Sequence, residues 1–276
     1  MPMGYRLREV TVPILPKGKE EIRILHFSDL HLTPYRRQEI RDIKSWASLK
    51  PDFVISTGDF LAHKDAVNTV IHSLGDLLNV PGLYVFGSND YYAPRMKNPF
   101  SYLKRDDGRR KLGTELPFKE LDSRLSAHGW KNLNTSKLLI DIKGVKIEAR
   151  GTDDAHLERD SYFAIKGSPE EKCFSILVTH APYLRLLNSA IKDEIQLVLS
   201  GHTHGGQIRL PWFPESKALT TNCDLPTSMS RGLTKLSEKT WLHVSAGLGS
   251  SPFTPIRFAC PGEVTRITLV SESNDS

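Results

Sequence analysis

The chain has 276 residues, of which 39% are hydrophobic and 25% are charged, and its formal net charge is +5. These values suit one large domain, and the basic excess fits an anionic substrate or an anionic surface. No apolar run reaches the roughly 18 residues that a membrane-spanning helix needs. The first residues lack the apolar core of a signal peptide, and Cys173, Cys223 and Cys260 form no Cys-x-x-Cys pair. We therefore expect a reduced compartment, the cytoplasm, with neither disulfides nor a zinc knuckle.

The first part of the chain alternates strands with helices. After an edge strand at 9–12, which Pro13 should end, apolar runs and helical spacing predict these elements in order: strand 22–27, helix 36–49, strand 53–57, helix 65–78 and strand 83–86. Strands separated by helices imply right-handed parallel crossovers. The carboxyl ends of the three strands should therefore lie at one edge of a sheet.

A potential metal ligand follows each of these three strands. The first runs into Ser28-Asp29-Leu30-His31, the second into Gly58-Asp59 and the third into Gly87-Ser88-Asn89-Asp90. In an extended chain Asp29 and His31 point to the same side and can hold one cation. The competing explanation is a helix cap, for which serine and aspartate are common. The shared edge predicts that Asp29, His31, Asp59 and Asn89 meet in space.

Residues 94–120 form a basic insertion, in which lysines and arginines alternate with Phe100, Tyr102 and Leu103. It is either a solvated surface segment or a flap that recognises an anionic headgroup or a membrane surface. Further along, the pattern predicts helix 118–127, a hairpin of strands 138–142 and 145–149 that opens a second sheet, strand 175–180, helix 184–190, and strands 195–199, 241–245, 256–258 and 264–270. The loop 151–156 is a plain turn, or it turns Asp153, Asp154 or His156 toward the site.

Two later strands end in histidines. Strand 175–180 ends at His180, and strand 195–199 precedes Gly201-His202-Thr203-His204-Gly205. The glycines permit a sharp turn at the sheet edge where α/β proteins bind ligands. A polar loop with solvated histidines explains the fragment alone equally well, but the other strand ends favour a metal site. We expect His26, His72 and His243 to be structural, and Arg209 to be a surface residue or a contact for phosphate.

Together these motifs resemble the calcineurin-like metallophosphoesterase superfamily, and especially its small bacterial phosphohydrolases, whose last motif reads Gly-His-Thr-His-Gly-Gly-Gln. The resemblance extends from about residue 22 to 269. It implies a four-layer αββα sandwich of two mixed β-sheets flanked by helices, forming a single domain over residues 1–276 that carries the insertion. It also implies two divalent metal ions (Mn, Fe or Zn), the first held by Asp29, His31 and His204, the second by Asn89, His180 and His202, with Asp59 bridging them.

In this resemblance the two cations activate a bridging hydroxide for in-line attack on phosphorus, and the residues assigned to catalysis are Asp59, Asn89, Asp90, His180 and His202. The third motif departs from the family, which has Gly-Asn-His followed by Asp or Glu. A strict alignment puts Ser88 at the ligand position, but an amide oxygen is the better ligand, and we therefore assign Asn89. The family's proton-donating histidine is missing, so metal-bound water or His63 would protonate the leaving group. Asp90 should support the loop or a ligand histidine.

The leading hypothesis is a metal-dependent phosphohydrolase that acts on a phosphomonoester or phosphodiester, including a phospholipid or a lipid-linked phosphate. The basic insertion favours a lipid substrate and a peripheral contact with the inner face of the membrane. The alternative is a nucleotide or nucleic-acid phosphodiesterase on the same centre. Nucleic acid fits less well, because the basic residues cluster in one insertion without an aromatic stacking platform. A non-catalytic binding module is the third alternative, and the sequence does not indicate an oligomeric state.

Overall fold

Two six-stranded mixed β-sheets form the centre of the protein in this computed structural model, which describes residues 4–94, 112–210, 217–250 and 257–271. The strands are β1 (Arg6–Leu15), β2 (Ile22–Phe27), β3 (Phe53–Ser56), β4 (Gly82–Tyr84), β5 (Lys131–Asn132), β6 (Ser136–Ile142), β7 (Val145–Gly151), β8 (Phe174–Val178), β9 (Leu197–Ser200), β10 (Arg209–Leu210), β11 (Lys217–Ala218), β12 (Gly232–Lys235), β13 (Trp241–Val244) and β14 (Glu263–Ser271). The α-helices are α1 (Arg37–Ser45), α2 (Val67–Leu74), α3 (Ser88–Tyr91), α4 (Phe118–Ala127) and α5 (Leu184–Lys192).

The first sheet has the order β1-β14-β2-β3-β4-β5, and the second has the order β12-β13-β9-β8-β7-β6. β2, β3 and β4 are parallel, as the alternation of strands and helices predicts, and so are β7, β8 and β9. The hairpin β6–β7 does open the second sheet. β10 and β11 form a separate two-stranded pair.

Alternating side chains of the inner strands divide the hydrophobic core into layers. On β2, Ile22 and Ile24 pack between the two sheets, whereas Leu25 and Phe27 pack against the helices on the outer face. This period of two is the geometry of a strand buried on both faces. Helices α1, α2 and α4 contribute to the core on the outer face of the first sheet, and α5 packs on the second. The result is the four-layer αββα sandwich that the resemblance implies.

Several predicted boundaries were wrong. β1 continues through Pro13 because it is the outermost strand of its sheet, where a missing N–H is tolerated. The expected long helices end early, each in a 3₁₀ segment, Trp46–Leu49 after α1 and Gly75–Asn79 after α2. Of the strand predicted at 256–258, residue 256 lies outside the described residues, and Phe258 forms a single bridge with Ile208. Most of the basic insertion, residues 95–111, lies outside the described residues. Among the helices that the structure describes, none has the length and apolar character needed to cross a membrane.

Candidate metal centre

The predicted site residues converge at one edge of the two sheets. Asp29 and His31 follow β2, and Asp59 follows β3. Their loops lie side by side, because the Asp29 N–H donates to the Gly58 carbonyl and the His31 N–H to the Asp59 carbonyl, each at 2.9 Å. The remaining ligand candidates are Asn89 in α3, His180 after β8, and His202 and His204 after β9. Parallel strands thus place all seven side chains at their carboxyl ends.

The backbone at this edge is left-handed at an unusual number of non-glycine residues. Asp29, His31, Asp59, His202 and His204 have φ values of 53°, 43°, 56°, 67° and 49°. L-residues rarely adopt this region, and such strain clusters at functional sites. The extended conformation expected for Asp29 and His31 was therefore wrong. A tight turn, rather than strand alternation, brings their side chains to one point.

Donor atoms of Asp29, His31 and His204, together with the shared Asp59, form the first candidate cation subsite, called the first cation subsite below. His31 Nε2 lies 3.3 Å from His204 Nε2. Asp29 Oδ1 lies 3.6 Å from His204 Nε2 and 3.9 Å from His31 Nε2. That carboxylate oxygen is buried and has no hydrogen-bond partner among the described residues. An unpartnered buried oxygen facing two imidazole nitrogens fits a divalent cation that accepts mixed N and O ligands.

The second candidate cation subsite, called the second cation subsite below, consists of Asn89, His180 and His202 with the shared Asp59. His202 Nδ1 lies 3.3 Å from His180 Nε2, and Asp59 Oδ2 lies 3.6 Å from His180 Nε2. Asn89 contacts the same carboxylate, since its side-chain amide nitrogen is 2.7 Å from Asp59 Oδ2 and its backbone N–H donates to Asp59 Oδ1 at 2.8 Å. A half-turn of the amide brings its oxygen to the same position. This contact with Asp59 supports Asn89, rather than Ser88, as the residue of the third motif that faces the centre.

Backbone carbonyls orient both imidazoles of the second cation subsite. His180 Nδ1 donates to the Thr57 carbonyl at 2.7 Å, and His202 Nε2 donates to the Asn222 carbonyl at 3.1 Å. These bonds fix the proton on one ring nitrogen and leave the other nitrogen free for a cation. The sequence did not identify these acceptors, because every residue has a carbonyl and the pattern carries no signal for them.

Asp90 serves a different purpose from the ligand candidates. Its buried carboxylate accepts backbone N–H bonds from Gly87, Asp59, Phe60 and Leu61 at 2.8–3.1 Å. Burial, followed by the nearby Asp59 carboxylate, raises the pKa of Asp90 to about 8. The residue therefore joins the Asp59 loop to the start of α3, which agrees with a supporting role for the loop.

The buried carboxylates and histidines perturb one another strongly. Burial lowers the pKa of His180, but the Asp59 and Asp154 carboxylates outweigh burial and raise it to about 9. Burial and the neighbouring His180 lower the pKa of His202 to about 3. Burial raises the pKa of Asp59. Such a cluster attracts positive charge and is typical of functional sites.

The remaining candidates lie in several environments. His26 and His243 meet between the sheets, with their Nδ1 atoms 2.9 Å apart. Arg209 is buried, not on the surface, and it donates to the Gly205 carbonyl at 2.8 Å. The loop 151–156 does form a turn, and it also faces the centre, because the His156 ring lies 4.5 Å from the His202 ring.

The sequence matches the family described as calcineurin-like phosphoesterase over residues 22–206, which is more than half of the chain. The chain belongs to this family. It is accordingly a metal-dependent hydrolase of phosphoric ester bonds, and the seven converging side chains are its candidate metal centre. The bacterial phosphohydrolase resemblance of the sequence is confirmed.

Known relatives of this phosphoesterase include the metallophosphoesterase YkuE of Bacillus subtilis (strain 168), with 29% identity over 94% of this chain and 82% of that protein. A transmembrane protein with metallophosphoesterase domain from Bos taurus is 30% identical over 95% of this chain, but the match spans only 56% of that protein. Among solved structures, a dimetal phosphatase from Danio rerio superposes with a TM-score of 0.45 at 11% identity, covering 82% of this chain and 87% of that one.

Proposed function

We propose that the phosphoesterase hydrolyses a phosphomonoester or phosphodiester with two divalent cations, one in each cation subsite, bridged by Asp59. The position of the Asp59 carboxylate carries this proposal. Its Oδ2 atom lies 3.6 Å from His31 Nε2 of the first subsite and 3.6 Å from His180 Nε2 of the second. A carboxylate oxygen placed equally between two ligand sets is suited to bridging two cations that would otherwise repel each other.

When bound, such a pair of cations lowers the pKa of a water molecule and balances the charge that develops on the phosphoryl oxygens. The protein contributes preorganisation. Thr57 and Asn222 fix the histidine tautomers, and Asp90 fixes the loop that presents Asp59. Nitrogen and oxygen donors without a thiolate favour Mn, Fe or Zn.

Protonation of the leaving group differs from the family pattern. In a strict alignment Asn89 stands where the family has its proton-donating histidine, and an amide is not an acid at neutral pH. His63 is 38% exposed, and its Nδ1 accepts a hydrogen bond from the Asp65 N–H at 3.2 Å. We therefore assign the proton to solvent water, so that esters with poor leaving groups should react slowly.

The substrate we propose carries an apolar group beside its phosphate, as a phospholipid or a lipid-linked phosphate does. Ile208, Leu219 and Phe258 are 38%, 44% and 50% exposed. They are neighbours, because Ile208 bridges Phe258 and its carbonyl accepts from the Leu219 N–H. Ile208 comes two residues after the His204–Gly206 turn, which carries a ligand candidate. The peripheral membrane contact stays a prediction, since most of the basic insertion lies outside the described residues.

The test compares five substrates after the protein has been stripped with a chelator and reloaded with Mn²⁺. A bis-aryl phosphodiester, an aryl phosphomonoester and a short-chain phospholipid test the proposed activity, and a cyclic nucleotide and an oligonucleotide test the alternative. We expect metal-dependent turnover in which ¹⁸O from solvent enters the phosphate product. Phe258→Ser should lower phospholipid turnover and leave the aryl diester unchanged. Turnover of only the cyclic nucleotide or the oligonucleotide would support the alternative. Turnover by the stripped protein before Mn²⁺ is added back would refute the metal mechanism.

A further inference from the structure

A buried carboxylate next to the second cation subsite has no role in the reaction described so far. Asp154 follows β7 and is fully buried. Its Oδ1 atom accepts the His156 N–H at 2.7 Å and caps the 3₁₀ turn Ala155–Leu157. Its Oδ2 atom is also buried and has no hydrogen-bond partner among the described residues. A buried carboxylate oxygen in this state is costly unless positive charge lies close to it.

The capped turn places Asp154 on the side of the second cation subsite. The turn carries His156, whose ring lies 4.5 Å from the ring of His202. The Tyr183 hydroxyl holds His156 Nδ1 at 3.1 Å and fixes the turn against α5. The buried carboxylate therefore lies on the His202 side of the site, two residues before the ring that contacts His202.

The charges of the two subsites explain why such a carboxylate is useful. The first cation subsite has its own carboxylate, Asp29, in addition to the shared Asp59. The second has only neutral ligands, Asn89, His180 and His202, besides the shared one. Two divalent cations would bring four positive charges against the two negative charges of Asp29 and Asp59. A third buried carboxylate on the second side reduces this excess in a region of low dielectric constant.

We propose that Asp154 is a third anionic residue of the metal centre and that it holds the second cation through an intervening water molecule. This inference rests on the proposed two-cation function. Water-mediated contacts of this kind are nearly as favourable as direct hydrogen bonds, and groups outside the ligand shell typically change metal affinity about 10–100-fold. Asp154 is a positioning residue in this role, because it acts on the cation and not on the substrate.

The neighbouring Asp153 supplies a matched control. Its carboxylate is already occupied, because it accepts from the Tyr91 hydroxyl at 2.7 Å and pairs with Arg159 at 3.1 Å. Asp153→Asn and Asp154→Asn remove the same charge at adjacent positions. Only the second removes an oxygen that lacks a partner in the described part of the chain.

The experiment measures Mn²⁺ binding to both variants and to the unaltered protein by competition with a fluorescent chelator, with metal content determined by mass spectrometry. We expect two ions per chain in the unaltered protein and in Asp153→Asn. In Asp154→Asn the weaker of the two affinities should fall about 10–100-fold, while the stronger one stays the same. Two unchanged affinities in Asp154→Asn, or an equal loss in Asp153→Asn, would overturn the inference. Fewer than two ions in the unaltered protein would instead refute the two-cation function.

Folding is checked by thermal unfolding without metal. Asp154→Asn should be no less stable than the unaltered protein, because it removes a buried charge while keeping an acceptor for the turn. Asp154→Ser carries the same expectation, since serine also caps helical turns and has no charge. The increase in melting temperature on adding Mn²⁺ should be smaller in both variants than in the unaltered protein. An undiminished increase would contradict the inference independently of activity.

Discussion

The two cation subsites share Asp59 but hold their other ligands in different ways. In the first, Asp29 supplies a second carboxylate, and His31 Nδ1 has no hydrogen-bond partner among the described residues. His204 Nδ1 lies 3.2 Å from Arg257, a cation. In the second, both imidazoles donate to backbone carbonyls, and the one charged ligand candidate is Asp59, which it shares with the first. Charge thus dominates the first subsite, and orientation dominates the second.

This difference indicates an order of affinity. A cation gains most from carboxylates in a buried site, so the first subsite should bind more tightly. The second should depend on groups that fix or supplement its neutral ligands. A change to the shared carboxylate should lower the metal affinity of both subsites. A change to a group that supports one subsite should lower the affinity of that subsite alone.

The largest effect is expected for Asp59→Asn, which removes the charge common to both subsites. We expect kcat/KM for an aryl diester to fall about 10³-fold or more, and the metal content to fall below two ions per chain. The fold should survive without metal, because burial already makes the charged form of Asp59 unfavourable. The measurements are steady-state kinetics and metal analysis.

Asp65→Asn is the control for this variant, since it alters a carboxylate that is 66% exposed and lies six positions further along the chain. It should retain normal turnover and both ions. Normal turnover by Asp59→Asn would remove the basis for treating the two subsites as one centre.

The next effect concerns protonation on the side of the second subsite. In the unaltered protein the rate should fall steeply as the pKa of the leaving group rises, because Asn89 provides no proton. His63→Gln should leave this dependence unchanged, because the proton comes from solvent water. A flat dependence in the unaltered protein across aryl and alkyl esters would show that another donor is present.

Some parts of the metal centre can be predicted from the sequence alone. Asp29, His31, Asp59 and Asn89 were predicted to converge because they follow apolar strands of one parallel sheet, and strand order fixes which ends meet. This convergence depends on periodicity and topology, which residue types encode directly. The four-layer order was implied by the resemblance to the family.

The supporting groups were not predictable in the same way. Thr57 and Asn222 act through backbone carbonyls, and the left-handed turns at Asp29 and His31 depend on contacts between loops. Asp154 was one of three polar candidates in its loop, and only its burial and its unpartnered oxygen distinguish it. Sequence patterns therefore indicated the ligand residues, but the orientation of each subsite is a tertiary property.

Two glycines allow the first subsite and the shared carboxylate to be perturbed separately. A Cβ atom at Gly201 would lie 1.8 Å from Ser28 Oγ and 2.7 Å from Asp29 Oδ2, whereas one at Gly87 would lie 2.3 Å from Asp59 Oδ1 and 2.6 Å from His180 Cε1. Gly201→Ala should therefore weaken only the tighter Mn²⁺ affinity, about tenfold, whereas Gly87→Ala, which displaces the shared Asp59, should weaken both affinities. Competition titrations measure both constants. An identical pattern in the two variants would show that the subsites do not respond independently.

The smallest effect concerns stability and involves the histidine pair behind the second subsite. His26 Nε2 lies 3.1 Å from Thr57 Oγ1, and the Thr57 carbonyl orients His180, so His243 supports that imidazole through His26. Burial, followed by the charge of Arg8, lowers the pKa of His243 from 6.5 to about 3. The unfolded chain therefore binds this proton first as the pH falls. The stabilising effect is complete above pH 6.5 and declines by about 1.4 kcal/mol for each pH unit below it. Urea unfolding of the metal-free protein between pH 7.5 and 5.5 should show a shallower loss in His243→Asn than in the unaltered chain. Equal slopes would mean that His243 does not stay neutral in the fold, and that the second subsite lacks this support.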